Sequence, residues 1–254
     1  MCLIIAAFQV NPAYPLIVAA NREERRARPS TPPHLWPGEP PLWAGRDEMA
    51  GGTWLGVNAR GLVASVTNRR TRPMVGRSRP RSQPRTTIDP SLPSRGLLCL
   101  QTLRQLAPAT ALLAARATLV QGPSNPFNLF CANATEGWVL DWRGKHWPLT
   151  PGIHLISNRG APNDGRLGVI RRARSLLSDI DLTCASLDQL LANLAHLCAN
   201  TEGRHPLCRA AGDFGTVSSS LIALDPNARI AAYQHANGPP CSVSYQSLDV
   251  RDVT

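Results

Sequence analysis

The sequence predicts an α+β fold in which two stacked, mostly antiparallel sheets are covered by helices. Strand-like apolar runs occur in groups, and segments with helical spacing separate the groups. The second half of the chain repeats this order of elements without repeating the residues. The chain has 254 residues, 43% of them hydrophobic, which is enough to bury one large core. We therefore predict a single domain over residues 1–254.

The first block begins with strands. Apolar runs predict two strand pairs: Leu3 to Val10 with Leu16 to Ala20, and Thr53 to Asn58 with Leu62 to Thr67. The first pair is joined by a turn over residues 11–15, where two prolines flank the loop. Residues 25–47 are rich in Arg, Pro and Gly, and we expect a long excursion there.

Two helices complete the first block. Leucines recur at helical spacing over Arg95 to Ala107 and again over Ala109 to Gln121. Pro108 lies between these segments, and a proline inside a helix removes a hydrogen bond and clashes with the preceding turn. The sequence therefore predicts two helices broken at Pro108.

The second block has the same order of elements. Three strands are predicted first: Phe127 to Asn133, Gly137 to Arg143 and Ile153 to Ser157. Two helices follow, one from about Arg166 to Ile180 and one opened by Ser186, with Gln189 placed as in a capping box. The last elements form a predicted hairpin of Thr216 to Asp225 and Ala228 to Gln234.

Composition argues against several classes of protein. No run approaches the 18 or so apolar residues of a membrane span, and the N-terminus lacks the pattern of a signal peptide. We therefore expect a soluble cytoplasmic protein. The seven cysteines are scattered and include no Cys-x-x-Cys pair, which argues against a zinc site or a disulfide framework. We predict no metal.

The net charge of +10 is concentrated in one place. Seven arginines lie in the Pro-rich stretch between Arg69 and Arg85, and without them the chain carries +3. No aromatic residues are interleaved there, as a surface for single-stranded nucleic acid would require. We predict a flexible, solvated loop over residues 69–94. A patch for an anionic ligand or partner is the alternative, and we expect no nucleic-acid partner.

Cys2 is the first candidate for chemistry. If Met1 is removed, Cys2 carries a thiol and a free α-amino group, whose ordinary pKa of about 7.7 to 8.0 suits a neighbouring base. The alternative is that Cys2 is a small buried apolar residue. Amide cleavage also requires donors for an oxyanion and groups that orient the amine. Candidate donors are asparagines at predicted strand ends: Asn21, Asn68 and Asn158. Candidate orienting groups are Arg22, Glu23 and Glu24.

A set of short segments resembles a known family. In the first half these are Met1-Cys2-Leu3-Ile4-Ile5, Ala19-Ala20-Asn21-Arg22-Glu23-Glu24, Gly51-Gly52-Thr53-Trp54-Leu55-Gly56-Val57 and Arg60-Gly61-Leu62-Val63-Ala64-Ser65-Val66-Thr67-Asn68. In the second half they are Phe127-Asn128-Leu129, Leu149-Thr150-Pro151-Gly152, Leu155-Ile156-Ser157-Asn158 and Phe214-Gly215-Thr216. In order and approximate spacing they resemble the Transport and Golgi organization protein 2 family, named NRDE after its Asn-Arg-Asp-Glu motif.

The resemblance implies a four-layer αββα sandwich of the N-terminal-nucleophile (Ntn) hydrolase type, similar to choloylglycine hydrolases and penicillin V acylases. It implies that Cys2 is the nucleophile, that Glu23 lies beside the α-amine, and that Asn68 and Asn158 are active-site asparagines. Residues of the name motif and of the Gly-Gly-Thr-Trp segment are the expected ligand-binding groups: Asn21, Arg22, Glu24 and Trp54. Two positions depart from the family: Glu23 replaces an aspartate, and Val217 stands where an arginine is usual.

Three functions follow from these residues and from the family's association with haem mobilisation and with lipid or acyl-coenzyme A homeostasis. The first is binding or trafficking of a small amphipathic anion of the haem or acyl-coenzyme A type. The second is hydrolysis of an acyl amide by Cys2, and the third is a scaffold role. No cofactor is expected to be required, and haem is considered only as a ligand. The histidines show no haem-attachment motif, which leaves the Cys2 thiolate as a candidate axial ligand.

Overall fold

The structure is a computed structural model that describes residues 2–69 and 88–250. The described residues form thirteen strands and four helices. The strands are β1 (Leu3–Phe8), β2 (Leu16–Arg25), β3 (Ser30–Trp36), β4 (Leu42–Asp47), β5 (Leu55–Asn58), β6 (Val63–Asn68), β7 (Phe127–Ala132), β8 (Gly137–Asp141), β9 (His146–Pro148), β10 (Gly152–Ser157), β11 (Phe214–Leu224), β12 (Ile230–Ala236) and β13 (Gln246–Ser247). The helices are α1 (Arg95–Leu103), α2 (Pro108–Gln121), α3 (Gly168–Leu177) and α4 (Leu187–Cys198).

Two antiparallel sheets form the centre of the molecule. The first has six strands in the order β10-β1-β2-β11-β12-β13, and the second has seven in the order β3-β4-β5-β6-β7-β8-β9. The strands of the second sheet follow the chain order throughout, and α1 and α2 lie in the sequence between its neighbouring strands β6 and β7. The first sheet joins the N-terminal hairpin to strands from the end of the chain, so β2 lies between β1 and β11.

Three separate apolar clusters show that the fold has four layers. Alternate residues of β1 and β2 face opposite sides of the first sheet, as the pleat requires. Leu3 and Ile17 pack against α3 and α4, whereas Ile4 and Val18 pack between the two sheets. A third cluster joins the outer face of the second sheet to α1 and α2. The order of layers is therefore helix, sheet, sheet, helix, which confirms the predicted αββα sandwich. The prediction that residues 1–254 form one domain stays a prediction.

The prediction of a long excursion over residues 25–47 is wrong, because most of these residues belong to strands. β2 continues through the charged residues to Arg25, and β3 and β4 follow. β3 was not predicted, because it contains Pro32 and Pro33, which lack an N–H donor. They are tolerated because β3 is an edge strand of its sheet. The pairing of β3 with β4 shifts register at this point. A prediction from the pattern of apolar residues therefore misses an edge strand that contains prolines.

Helix positions agree with the predictions, and their ends differ. α1 ends at Leu103 rather than Ala107, and the following Arg104 donates to the main-chain oxygens of Pro37 and Pro40. α2 begins with Pro108, because the first position of a helix does not require an N–H donor. Ser186 caps α4 by accepting from the main-chain N–H of Gln189. The short strands β9 and β13 were not predicted.

Only part of the predicted flexible loop over residues 69–94 lies within the structure. Residues 70–87 are outside the described residues, whereas residues 88–94 lead into α1. Among the helices of residues 2–69 and 88–250, none combines the length and the apolar character needed to cross a membrane.

Candidate functional site

A cleft of about 690 Å³ lies where β1 and β2 of the first sheet face β6 of the second. Its walls come from the ends of these strands, from the Gly-Gly-Thr-Trp segment and from the segment that leads into α1. The residues that line it include Cys2, Ile4, Arg22, Glu23, Glu24, Arg28, Asp47, Met49, Trp54, Val66, Asn68, Ile88, Leu92 and Arg95. Strand pairing therefore brings most of the predicted site residues together.

Cys2 lies immediately before β1 and is half-buried. Its main-chain oxygen accepts a hydrogen bond of 3.2 Å from the N–H of Asn158, which follows β10. Its Sγ lies 3.3 Å from the main-chain nitrogen of Glu23 and 3.4 Å from the main-chain oxygen of the same residue. The antiparallel pairing of β1 with β2 explains this contact, since Leu3 is opposite Asn21. The thiol is thus held beside the predicted motif at the wall of the cleft.

Arg22 extends from β2 into the cleft and is only 9% exposed. Its guanidinium lies 3.9 Å from the centre of the Trp54 ring and donates to the Ser30 hydroxyl at 2.8 Å. Burial is the main reason why the pKa of Arg22 is lowered, yet an arginine stays protonated at neutral pH. Gly45 leaves space for the Trp54 ring, because a Cβ at that position would lie 2.4 Å from the indole. Sequence and packing therefore hold a buried positive charge against an aromatic face.

Arg95 brings a second guanidinium into the same cleft. It is the first residue of α1, and its side chain donates to the main-chain oxygen of Pro126 at 3.1 Å. Burial lowers its pKa, with the charges of Glu24 and Cys2 acting in the opposite direction. Gly52 allows α1 to approach, because a Cβ there would lie 2.2 Å from the main chain of Gly96. The specific Gly-Gly-Thr-Trp segment thus positions both the helix that carries Arg95 and the ring beneath Arg22.

The charges of the cleft are unevenly paired. Arg28 donates to Asp47 at 2.7 and 2.9 Å, which neutralises both side chains. By contrast, neither Arg22 nor Arg95 forms an ion pair with a carboxylate of residues 2–69 or 88–250. Glu24 lines the cleft and accepts from the main-chain N–H of the next residue. One buried guanidinium, that of Arg22, and one half-buried guanidinium, that of Arg95, therefore face the cleft without direct contact with a carboxylate of the described residues.

The three predicted asparagines occupy different environments. Asn68 is exposed at the end of β6 and lines the cleft. Asn158 is buried, and its Oδ1 has no hydrogen-bond partner among the described residues. Asn21 borders the cleft, but its amide donates to the main-chain oxygens of Cys198 and Leu207, both at 2.9 Å. The side chain of Asn21 therefore anchors β2 to the helical layer.

A buried polar group lies deeper in the molecule. His235 of β12 forms a 2.8 Å hydrogen bond through Nδ1 with the hydroxyl of Ser220, and its Nε2 is buried without a partner among the described residues. Burial, with a smaller contribution from the charge of Arg22, lowers the pKa of His235 to about 4. His235 is therefore neutral near pH 7.

Three charged residues of the cleft were not predicted: Arg28, Asp47 and Arg95. The arginines gave no distinctive pattern, because the chain contains 26 of them. Val217 lies at the irregularity between Thr216 and Ser218 in the pairing of β11 with β2. No cluster of three or more His, Cys, Asp or Glu that could hold a metal ion occurs in the part of the chain that the structure describes.

Comparisons with known proteins agree with this arrangement. The sequence model of the family described as Transport and Golgi organisation 2 matches residues 1–236. The chain is 28% identical over 266 residues to the Transport and Golgi organization protein 2 homolog of Bos taurus, covering 91% of each chain. It is 29% identical over 274 residues to the homolog of Homo sapiens, again covering 91% of each.

Solved structures with a similar fold are N-terminal-nucleophile hydrolases. Penicillin V acylase from Agrobacterium tumefaciens gives a TM-score of 0.57 at 12% identity, covering 97% of this chain and 86% of that one. The Caenorhabditis elegans ortholog of N-acylethanolamine-hydrolyzing acid amidase gives 0.54 at 12% identity, covering 89% and 93%. A mutant conjugated bile acid hydrolase from Clostridium perfringens gives 0.54 at 8% identity, covering 99% and 94%. These similarities establish the fold.

Proposed function

The chain belongs to the Transport and Golgi organisation 2 family, and from the charges in its cleft we propose that it binds an amphipathic anion there. The ligand class is haem or a long-chain acyl compound such as acyl-coenzyme A. The observation that carries the proposal is a pair of guanidinium groups that line the cleft without a carboxylate partner among the described residues: Arg22 is buried and Arg95 is half-buried. A cytoplasmic location is part of the proposal.

The physical argument concerns the cost of burying charge. A buried ion loses hydration, and this loss is offset only when a partner of opposite charge or several hydrogen bonds replace the water. Arg22 has one hydroxyl and one aromatic face, and Arg95 has one main-chain oxygen. Both guanidiniums therefore have donors left for a carboxylate or a phosphate, which arginine binds in a bidentate manner.

The remaining walls suit the apolar part of such a ligand. Ile4, Val66, Met49, Ile88 and Leu92 line the cleft on several sides. A volume of about 690 Å³ falls within the range of roughly 300 to 1,000 Å³ that is typical of small-molecule sites. The cleft thus combines an apolar wall with two cations.

The two ligand types would use the cleft differently. Among the described residues that line it, none is a histidine, and Cys2 is the one lining cysteine. A haem would therefore place its carboxylates on Arg22 and Arg95, and among the lining residues the Cys2 thiolate and the Met49 thioether are the iron ligands of the usual haem-binding kinds. An acyl-coenzyme A requires no such ligand and would place phosphates on the same arginines.

Titration of the full chain with palmitoyl-coenzyme A and with haem tests the proposal. We expect saturable binding of at least one of them. Arg22→Met and Arg95→Met each remove a charged contact and should weaken binding by about tenfold or more. Arg104→Met is the matched control. Arg104 directly follows α1 and also donates to main-chain oxygens, those of Pro37 and Pro40, but it lies outside the cleft. Lack of saturable binding to either probe would contradict the proposal and favour the scaffold role.

A second candidate function, amide hydrolysis, is supported by the position of the Cys2 thiol in the wall of the same cleft. In this scheme removal of Met1 frees the α-amine, which takes the thiol proton as Sγ attacks the carbonyl carbon. The leaving nitrogen takes a proton as the C–N bond breaks, and a thioester remains on Cys2. Water then hydrolyses the thioester and releases the acid.

Intact mass after incubation with an acyl amide separates the two functions. Hydrolysis predicts a chain without Met1 that gains an acyl group, and Cys2→Ala should abolish that gain. Binding alone predicts that Cys2→Ala retains affinity for palmitoyl-coenzyme A and that no acyl group is added. In a chain that retains Met1 the nitrogen of Cys2 is a peptide amide and not a free amine, and this result would rule out the hydrolytic mechanism.

A further inference from the structure

Two cysteines far from each other in the sequence meet at a place that is not part of the cleft lining. The Sγ atoms of Cys208 and Cys241 lie 2.8 Å apart, and the residues are 33 positions apart in the chain. We propose that this pair is a redox modification site: it closes to a disulfide on exposure to a hydroperoxide or a small-molecule disulfide. The disulfide would attach the C-terminal segment to the loop that anchors β2. The inference does not depend on the proposed ligand or on Cys2 chemistry.

The main chain on both sides of the pair is already held in place. The main-chain N–H of Cys208 donates to the oxygen of Asn200 at 2.8 Å, which closes the loop after α4. Cys241 lies in a turn where the oxygen of Pro239 accepts from the main-chain N–H groups of Ser242 and Val243. A disulfide requires the sulfur atoms to approach by only about 0.8 Å from their present 2.8 Å. Oxidation therefore needs only a small movement of two side chains.

The two thiols differ in exposure, which gives them different roles. Cys241 is exposed, so it is the thiol that an oxidant in solution reaches first. Cys208 is only 1% exposed, and burial raises its pKa. Cys208 is therefore protonated near neutral pH and is the less reactive thiol of the pair. This difference resembles the attacking and resolving cysteines of other thiol pairs.

Each route is a balanced reaction. With hydrogen peroxide, the Cys241 thiolate displaces hydroxide and becomes a sulfenic acid; Cys208 then attacks its sulfur, and water leaves. With oxidised glutathione, Cys241 forms a mixed disulfide and releases one glutathione. Cys208 then attacks Cys241 Sγ and releases the second. In both routes the two cysteines lose two protons and two electrons, and the oxidant is reduced.

The bond would join two segments that contact the candidate site indirectly. The residue before Cys208, Leu207, supplies the oxygen that accepts from Asn21 of β2. The C-terminal segment packs on the first sheet through Tyr245, whose hydroxyl donates to Ser219 of β11 at 2.5 Å. Closing the pair would therefore hold this segment against the loop that anchors β2. The oxidised protein should unfold at a higher temperature, because the cross-link restricts the unfolded chain.

The test uses the reduced full chain, treated with oxidised glutathione or with hydrogen peroxide. We expect a mass loss of two hydrogen atoms, a peptide map with Cys208 joined to Cys241, and a Tm that rises by about 5 to 15 °C and returns on reduction. Cys241→Ser should fold, because its side chain is exposed, and should show neither the cross-link nor the rise. Cys184→Ser is the matched control at another exposed cysteine and should behave like the wild-type chain.

Several results would overturn the inference. One is that both thiols remain open to alkylation after oxidation of the folded chain. Another is that Cys241 accumulates as a stable glutathione adduct, because a neighbouring thiol at this distance should displace it. A cross-link that survives in Cys241→Ser would show that other cysteines are responsible.

Discussion

The two halves of β2 form one continuous strand but differ in the polarity of their side chains. Residues Leu16–Ala20 are apolar and alternate between the helical layer and the layer between the sheets. Residues Asn21–Arg25 continue the pairing with β11, yet three of them are buried polar or charged groups. The backbone pairing also changes, because the register with β11 shifts at Val217 and β1 pairs with β2 only as far as Asn21. The larger difference lies in the side chains.

The difference separates stability from binding. Burial of the apolar half contributes favourable free energy in proportion to the area removed from water. Burial of Arg22 costs free energy, because its hydration is only partly replaced. A strand that continues into such residues at the mouth of a cleft places charges where a ligand could compensate them. Substitutions in the apolar half should therefore reduce stability, and substitution of Arg22 in the second half should reduce binding.

The largest effect is expected in the apolar half. Leu16 is fully buried between the sheets, so Leu16→Ala should reduce the free energy of unfolding by about 2 to 5 kcal/mol through lost contacts and a cavity. Urea denaturation measures this change. Affinity of the folded fraction for palmitoyl-coenzyme A should stay close to that of the wild-type chain. A loss of affinity as large as that of Arg22→Met would remove the distinction between the halves.

The next effect concerns His235, which is buried near Arg22. Its pKa is about 4 in the folded protein and about 6.5 in the unfolded chain, so the unfolded state binds the proton first as pH falls. Its contribution is complete above pH 6.5, falls by about 3 kcal/mol between pH 6.5 and 4, and is flat below that range. His235→Gln cannot take up this proton and should weaken the dependence. Equal slopes for the two proteins, from urea denaturation across this range, would contradict the assignment.

A smaller effect is expected at the junction of the two halves. Asn21→Ala removes two buried hydrogen bonds and leaves two main-chain oxygens unpaired, which should cost about 1 to 3 kcal/mol. Asn68→Ala is the matched control, because Asn68 is exposed at a strand end. Thermal unfolding compares them. If the two substitutions cost the same, Asn21 does not anchor β2 in the way described.

The apolar parts of the fold could be predicted from sequence because periodicity reports which faces are buried. It located the N-terminal hairpin, the leucine-rich α4 and the final hairpin, and it implied the layered arrangement. Periodicity failed where a strand contains residue types that are unusual in strands. β2 was predicted to end at Ala20, because charged residues rarely continue a buried strand. β3 was missed because its prolines are tolerated only at an edge.

The candidate site was predicted in part. Resemblance to a family placed Cys2, Glu23 and Asn68 at one cleft, and all three line it. Arg95 could not be predicted, because its position depends on the close approach of α1 to Gly52 rather than on any local motif. The contact of Cys208 with Cys241 likewise depends on how the C-terminal segment returns to the first sheet. Long-range packing of this kind leaves no spacing to recognise in a single sequence.

The most direct test of the central claim is the stability of wild-type and Arg22→Met proteins, each measured with and without palmitoyl-coenzyme A. Met keeps much of the side-chain length and removes the buried charge. Without ligand, the account predicts that the variant is as stable as the wild-type chain or more stable, by up to about 1 kcal/mol. With ligand, the wild-type chain should gain stability and the variant should gain much less. A variant that is strongly destabilised without ligand, yet gains as much as the wild-type chain with it, would show that Arg22 is a structural residue and not a ligand-binding one.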